Sequence, residues 1–246
     1  MDVITSGPPE HLELPGEALE PISSALREAL TREVHRVNDR YLVDFIEDYS
    51  FCPFARSGRV KGQTRRYVYY ADTRSVEPLL ELMLEVAADT SQVVVQVVVP
   101  LIEVEAEDWV RFCKALTSLG NVRMDDGPVL ACAPLHPNLE YLSHNAATMI
   151  PLFRRAPDPT IQWVRLDGLA AIYEGRNDDT AYVDPDELDD YLLEPATKSL
   201  YDRIAESNFS MAKRLTTQHV EGLLAECVRD GRQSYARVLL GDDDEQ

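Results

Sequence analysis

Two residues of this chain have the types and settings that chemistry needs, Cys52 and His136. Cys52 stands in Phe51-Cys52-Pro53-Phe54, where a helix must stop because the residue before a proline is pushed out of the α region. His136 stands in Ala133-Pro134-Leu135-His136-Pro137, just past the end of an expected strand. A thiolate is a nucleophile, a redox centre or a metal ligand, and an imidazole beside it serves as general base, general acid or second ligand. The other cysteines differ. Cys113 and Cys227 fall on apolar helix faces and Cys132 lies inside a strand, settings in which a thiol behaves as a small hydrophobe. His144 reads as a surface residue, and His11, His35 and His219 carry no role.

The surroundings of Cys52 are basic. Arg56, Arg59, Lys61, Arg65 and Arg66 follow it with no acid among them, in a chain whose formal net charge is −19. Nearby cations lower a thiol's pKa and attract carboxylates or phosphates. Gly58 and Gly62 suit a loop that closes over a ligand. Further on, Pro157 and Pro159 stiffen the segment after Arg155 and hold that arginine in a fixed direction for a carboxylate. The same arginines can instead pair with the acidic surface, and both readings stay open.

The elements that must position these residues follow from periodicity. Residues 1–20, with Gly7-Pro8-Pro9 and Pro15-Gly16, read as a disordered leader. A helix over about 21–50 places Val34, Val37, Tyr41, Phe45 and Tyr49 at helical spacing. Strands are predicted at 66–71, 92–99 and 129–133, with helices between them at 76–88 and 105–119; Ser75 is the expected N-cap of the first. The run Gln92 to Val99, apolar on both faces, marks a central strand covered on both sides. A helix over 160–173 is expected next.

The fold class is α/β: a β-α-β-α-β core (21–175) with a parallel or mixed sheet, an N-terminal helix and a helical C-terminal extension. An acidic insert (176–196) follows, within a run from Glu174 that carries nine Asp or Glu against one Arg. Asp184-Pro185-Asp186-Glu187 has the form of a helix start there. Two helical stripes occupy 197–241, and residues 242–246 form an acidic tail.

Composition excludes several classes. So acidic a surface repels phosphate backbones and anionic lipid, so neither nucleic acid nor membrane is an expected partner. No apolar run approaches the ~18 residues of a membrane span, and the first twenty residues lack a basic secretory start. With four widely spaced cysteines and no CxxC, a reducing, cytoplasmic setting is expected. GxGxxG, Walker, GxSxG and HExxH patterns are absent, which argues against nucleotide cofactors, serine hydrolases and zincins.

At three places the residues resemble a known family. Phe51-Cys52-Pro53-Phe54-Ala55, then Leu135-His136-Pro137, then Asn145 with Arg155-x-Pro157-x-Pro159 and Arg165 are similar to the bacterial family catalogued as domain of unknown function 1415. The resemblance covers about residues 36–175. It departs at Gln162, where the family often has histidine, and at Leu135, where an aromatic is usual. The family implies Cys52, His136, Asn145, Arg155 and Arg165 as site residues, and it names no reaction.

Three functions follow as expectations. The first is an enzyme acting on an anionic small molecule, with Cys52 as nucleophilic or redox thiol, His136 as acid–base partner, and Arg56, Arg59, Arg65, Asn145, Arg155 and Arg165 holding substrate. The second is haem or transition-metal binding with Cys52 or His136 as ligand. The third is a non-catalytic module whose positive segment captures an acidic partner. Oligomeric state is not legible.

Overall fold

The computed structural model describes residues 12–52, 55–124, 127, 129–168 and 200–241. The first helix, α1 (Ser24–Arg40), starts where the Ser23 hydroxyl accepts the amide of Leu26 at 3.3 Å, and it continues as a π-helix over Tyr41–Glu47. Then come α2 (Ala55–Val60), β1 (Thr64–Val68), α3 (Glu77–Ala88), β2 (Val94–Val98), α4 (Ala106–Val122) and β3 (Leu130–Leu135). A short helix α5 (Ala146–Met149) and a 3-10 turn (Ile150–Arg154) lead into β4 (Thr160–Arg165), and α6 (Leu200–Leu215) and α7 (Thr217–Leu240) close the described chain.

The four strands form one mixed sheet in the order β1-β2-β4-β3. β1 and β2 are parallel, and β4 lies antiparallel to both β2 and β3. So β1, β2 and β3 all end at one sheet edge, where β4 begins. The central-strand expectation holds for β2, whose Val95 and Val97 are buried on one side and Gln96 and Val98 on the other.

The helix expected over 160–173 is corrected at its start. Thr160 to Arg165 is β4. Its Ile161 and Trp163 are fully buried while Gln162 and Val164 are half-buried, a period of two that only a strand satisfies. The leader is corrected too. From residue 12 it packs on the core: Leu14 is 1% exposed, its amide donates to Arg74 at 2.9 Å, and Leu19 donates to Ala71 at 2.7 Å. At Gly16, with φ +86°, a Cβ would sit 2.6 Å from the Glu103 carbonyl oxygen, so glycine is required. The acidic insert, its expected helix, and the tail lie outside the described residues.

Helices cover both faces. On one, α3 and α4 bury Leu79, Met83, Trp109 and Leu116 against Val97, Ile161 and Trp163. On the other, α1 and α7 pack Leu30, Val34, Val37 and Tyr235 against Val98 and Tyr70. A third apolar cluster joins the π-helix to Phe51, Leu135, Phe153 and Leu224. Among the described residues no helix is long and apolar enough to cross a membrane.

Candidate functional site

His136 follows the last residue of β3 at the edge where the parallel strands end, a position where ligands of open sheets bind. Its amide donates to Arg154 O at 3.0 Å, which ties the strand end to the 3-10 turn. The ring is 2% exposed. Nδ1 accepts the Asn138 amide at 3.1 Å, so it carries no proton. Nε2 therefore holds the hydrogen and donates it to Val104 O at 3.1 Å. Burial pushes the imidazole pKa down, against a smaller upward pull from Val104 O and Glu105. The ring is neutral, and both nitrogens are occupied by main chain.

Cys52 follows the π-helix. The π-helix ends in a tight turn with Ser50 at φ +55°, and Phe51 then packs between Phe45 and Phe153 as tilted ring pairs at centroid distances of 4.9 and 4.6 Å. Asn208 fixes this turn by donating to Phe51 O at 2.8 Å. The half-buried Cys52 packs against the same apolar cluster. Local main-chain bonds engage both ring nitrogens of His136.

The basic run does not form a loop over Cys52. It is divided between α2, a turn at Gly62 with φ +67°, and β1. Arg56 is exposed on α2. Arg59 makes a two-point pair with Glu47 at 2.8 and 2.7 Å, and Glu47 is 4% exposed in its side chain. Arg65 pairs with Asp89 at 3.9 Å and lies over the Tyr67 ring, while Arg66 pairs with Asp39 at 2.8 Å. Carboxylates elsewhere in the fold thus pair with three of these cations. Arg59→Ala would strand a buried carboxylate; with the arginine itself half-exposed, the expected cost is about 2 kcal/mol, read by urea denaturation.

Asn145 and Arg165 also have structural work. The Asn145 side chain caps α5 by accepting the Thr148 amide at 3.0 Å, in a reciprocal capping box. Arg165 sits at the opposite end of β4, five steps or roughly 17 Å from the His136 edge. There it bonds Asp167 at 3.0 and 2.9 Å and Ala87 O at 2.7 Å.

Arg155 does reach a cavity. Its Nε donates to Leu139 O at 2.7 Å, its guanidinium lies 5.0 Å above the Tyr141 ring, and Glu221 stands at 3.8 Å. With Pro137 and Asn138, Arg155 forms one wall of a cleft of about 400 Å³. The other wall is α7, which presents Arg229, Arg232 and Gln233 over a floor of Leu224 and Val228. On the flank of α7 toward α1, Asp230 receives Arg36 at 2.8 Å and Arg40 at 2.9 Å, which hold its carboxyl down at about 2. On the cleft flank, Arg229 and Arg232 make no ion pair among the described residues. Three arginines against Glu221 make this a positive cleft in an acidic protein.

Sequence reasoning missed α7 as a wall. The available signal was Arg229 and Arg232 at i, i+3, on the same stripe as Glu221, Ala225 and Val228. It also missed Asp158. This carboxylate, 5% exposed, accepts Tyr235 Oη at 2.8 Å and Asn38 Nδ2 at 3.3 Å, and burial pushes its pKa up to about 6. Among the described residues no group of three or more His, Cys, Asp or Glu side chains could hold a metal ion.

No curated protein and no solved structure matches the chain. A family model does: the one described as protein of unknown function (DUF1415) matches residues 33–184. The matched stretch runs from the middle of α1 through the sheet and stops short of α6 and α7. Because it spans more than half of the 246 residues, this chain belongs to the DUF1415 family.

Proposed function

We propose that this protein binds a small anion bearing carboxylate or phosphate groups in the cleft between the His136–Leu139 turn, Arg155 and α7. The observation that carries the reading is the local reversal of charge: Arg155, Arg229 and Arg232 face one cavity in a chain of net charge −19. Planar guanidinium groups meet a carboxylate or phosphate through paired N–H donors, and Asn138 and Gln233 add neutral polar contacts. Leu224 and Val228 supply an apolar floor for the ligand's carbon skeleton. A cleft of about 400 Å³ suits a metabolite rather than a polymer.

In this reading His136 is a positioning residue: it shapes the turn that carries Pro137 and Asn138. The haem and metal alternative is weakened by the same bonds, since His136 has no nitrogen free for an iron.

The test is a thermal-shift and calorimetric screen with inorganic phosphate, citrate, succinate and a nucleoside monophosphate, each beside a neutral analogue. A bound anion at ~100 times its Kd adds about 2.7 kcal/mol of stability. The Arg229→Ala/Arg232→Ala double variant, altered only at exposed positions, is expected to keep its unliganded Tm and bind at least tenfold more weakly. Unchanged affinity in that variant, or no shift with any of the anions at millimolar concentration, would refute the assignment.

A further inference from the structure

Cys113 and Cys132 form a thiol pair that the cleft does not use. Cys113 is fully buried on α4, and Cys132 is half-buried on the face of β3 that α4 covers. Both thiols lie in the apolar cluster between α4 and the sheet, close enough for each to shift the other's pKa. Neighbouring bonds hold the pair in place. Thr117, one turn after Cys113, donates to the Cys113 carbonyl at 2.8 Å and accepts Trp163 Nε1–H at 2.9 Å. Trp163 is the residue paired with Cys132 across the sheet. None of the four cysteines is joined in a disulfide among the described residues.

The two thiols are unequal. The bond from Cys113, then Thr117, Arg154 and Lys114, lower the pKa of Cys132 against its burial, while burial raises that of Cys113. Cys132, half-buried where Cys113 is fully buried, is the thiol nearer solvent, as an attacking thiol should be; Cys113 is placed as its resolving partner.

We propose that Cys113 and Cys132 are a reversible redox site in which a hydroperoxide drives formation of an α4–β3 disulfide. The Cys132 thiolate attacks the peroxide, breaking O–O to give Cys132 sulfenic acid and releasing the other oxygen as water or alcohol. The Cys113 thiol then attacks that sulfur, forming S–S and expelling water. Overall, two thiols and one hydroperoxide give one disulfide, one water and one further water or alcohol, and a dithiol reductant reverses the change. The disulfide requires the two sulfurs to close to about 2.05 Å. The disulfide would tie α4 to the strand that ends just before His136.

The test treats the full chain with hydrogen peroxide, alkylates remaining thiols under denaturing conditions, and maps peptides by mass spectrometry. The expected product is a peptide pair joined through Cys113 and Cys132, two hydrogens lighter than its reduced parts and lost on dithiothreitol treatment. In Cys113→Ser, Cys132 should accumulate as a sulfenic acid trapped by dimedone; in Cys132→Ser, Cys113 should not. Disulfides through Cys52 or Cys227 instead, or Cys113 and Cys132 both still alkylated after peroxide, overturn the proposal. The wild-type map decides even if a serine variant fails to fold.

Discussion

His136→Ala is expected to lower stability by about 3 kcal/mol, because two buried main-chain groups lose their partner at once. The Asn138 amide donates to Nδ1 and the Val104 carbonyl accepts from Nε2, each at 3.1 Å, and the ring that joins them is 2% exposed. Leaving one such group unsatisfied costs roughly 1–3 kcal/mol, and the vacated ring volume adds to that. For a chain of this size the loss corresponds to a Tm lower by about 6–12 °C. Differential scanning calorimetry reads it directly. A histidine whose main duty were acid–base chemistry would give the opposite result, with Tm within ~2 °C of wild type. Anion affinity should fall as well, since the turn bearing Pro137 and Asn138 loses its anchor.

Asp158 sets the second large effect, in pH. Its carboxyl is buried between α1 and α7, facing Asn38, Tyr235 and the nearby Tyr70, with no cation bonded to it. The folded pKa of about 6 lies above the ordinary value of about 3.9. Between those values the folded state binds the proton more tightly than the unfolded chain does. Stability from this group is complete below about pH 4 and is lost as pH rises through 6, a fall on the order of 3 kcal/mol. His35 and His136, both shifted down by burial, slope the other way near pH 6, and Asp230 acts only toward about pH 2. The informative quantity is therefore the difference between wild type and Asp158→Asn across pH 4–7. It should narrow by ~3 kcal/mol as pH rises from 4 to 7, in favour of the variant. A difference that stays flat over that range would show that Asp158 ionises normally in the fold.

The two effects concern the same edge of the sheet. Asp158 joins β4 to α1 and α7, and His136 joins β3 to the segment before α4 and to the 3-10 turn. The proposed cleft is bounded by what these residues hold: the 136–139 turn on one side and α7 on the other. One wall lies within the family match and the other beyond it, so Arg229 and Arg232 are the residues through which ligand choice can differ from that of the matched core.

By itself the sequence determined what local periodicity encodes. The β-branched run of β2 specified a strand covered on both faces, and the stripes of α1, α3 and α4 specified which sides they bury. Cys113 in the core was legible for the same reason. β4 was misread because six residues with two buried apolar positions satisfy a helical window almost as well as a strand, until neighbours on both sides supply the hydrogen bonds. The tertiary structure alone decided the polar partnerships. Arg36 meets Asp230 across 194 residues, Tyr235 meets Asp158 across 77, and His136 meets Val104 across 32. A charged or titratable side chain carries no local signal of its partner, so a sequence can nominate Cys52, His136 and the arginines but cannot say which of them are already engaged. Desolvation and hydrogen bonding assign those roles, and both arise only when distant segments pack.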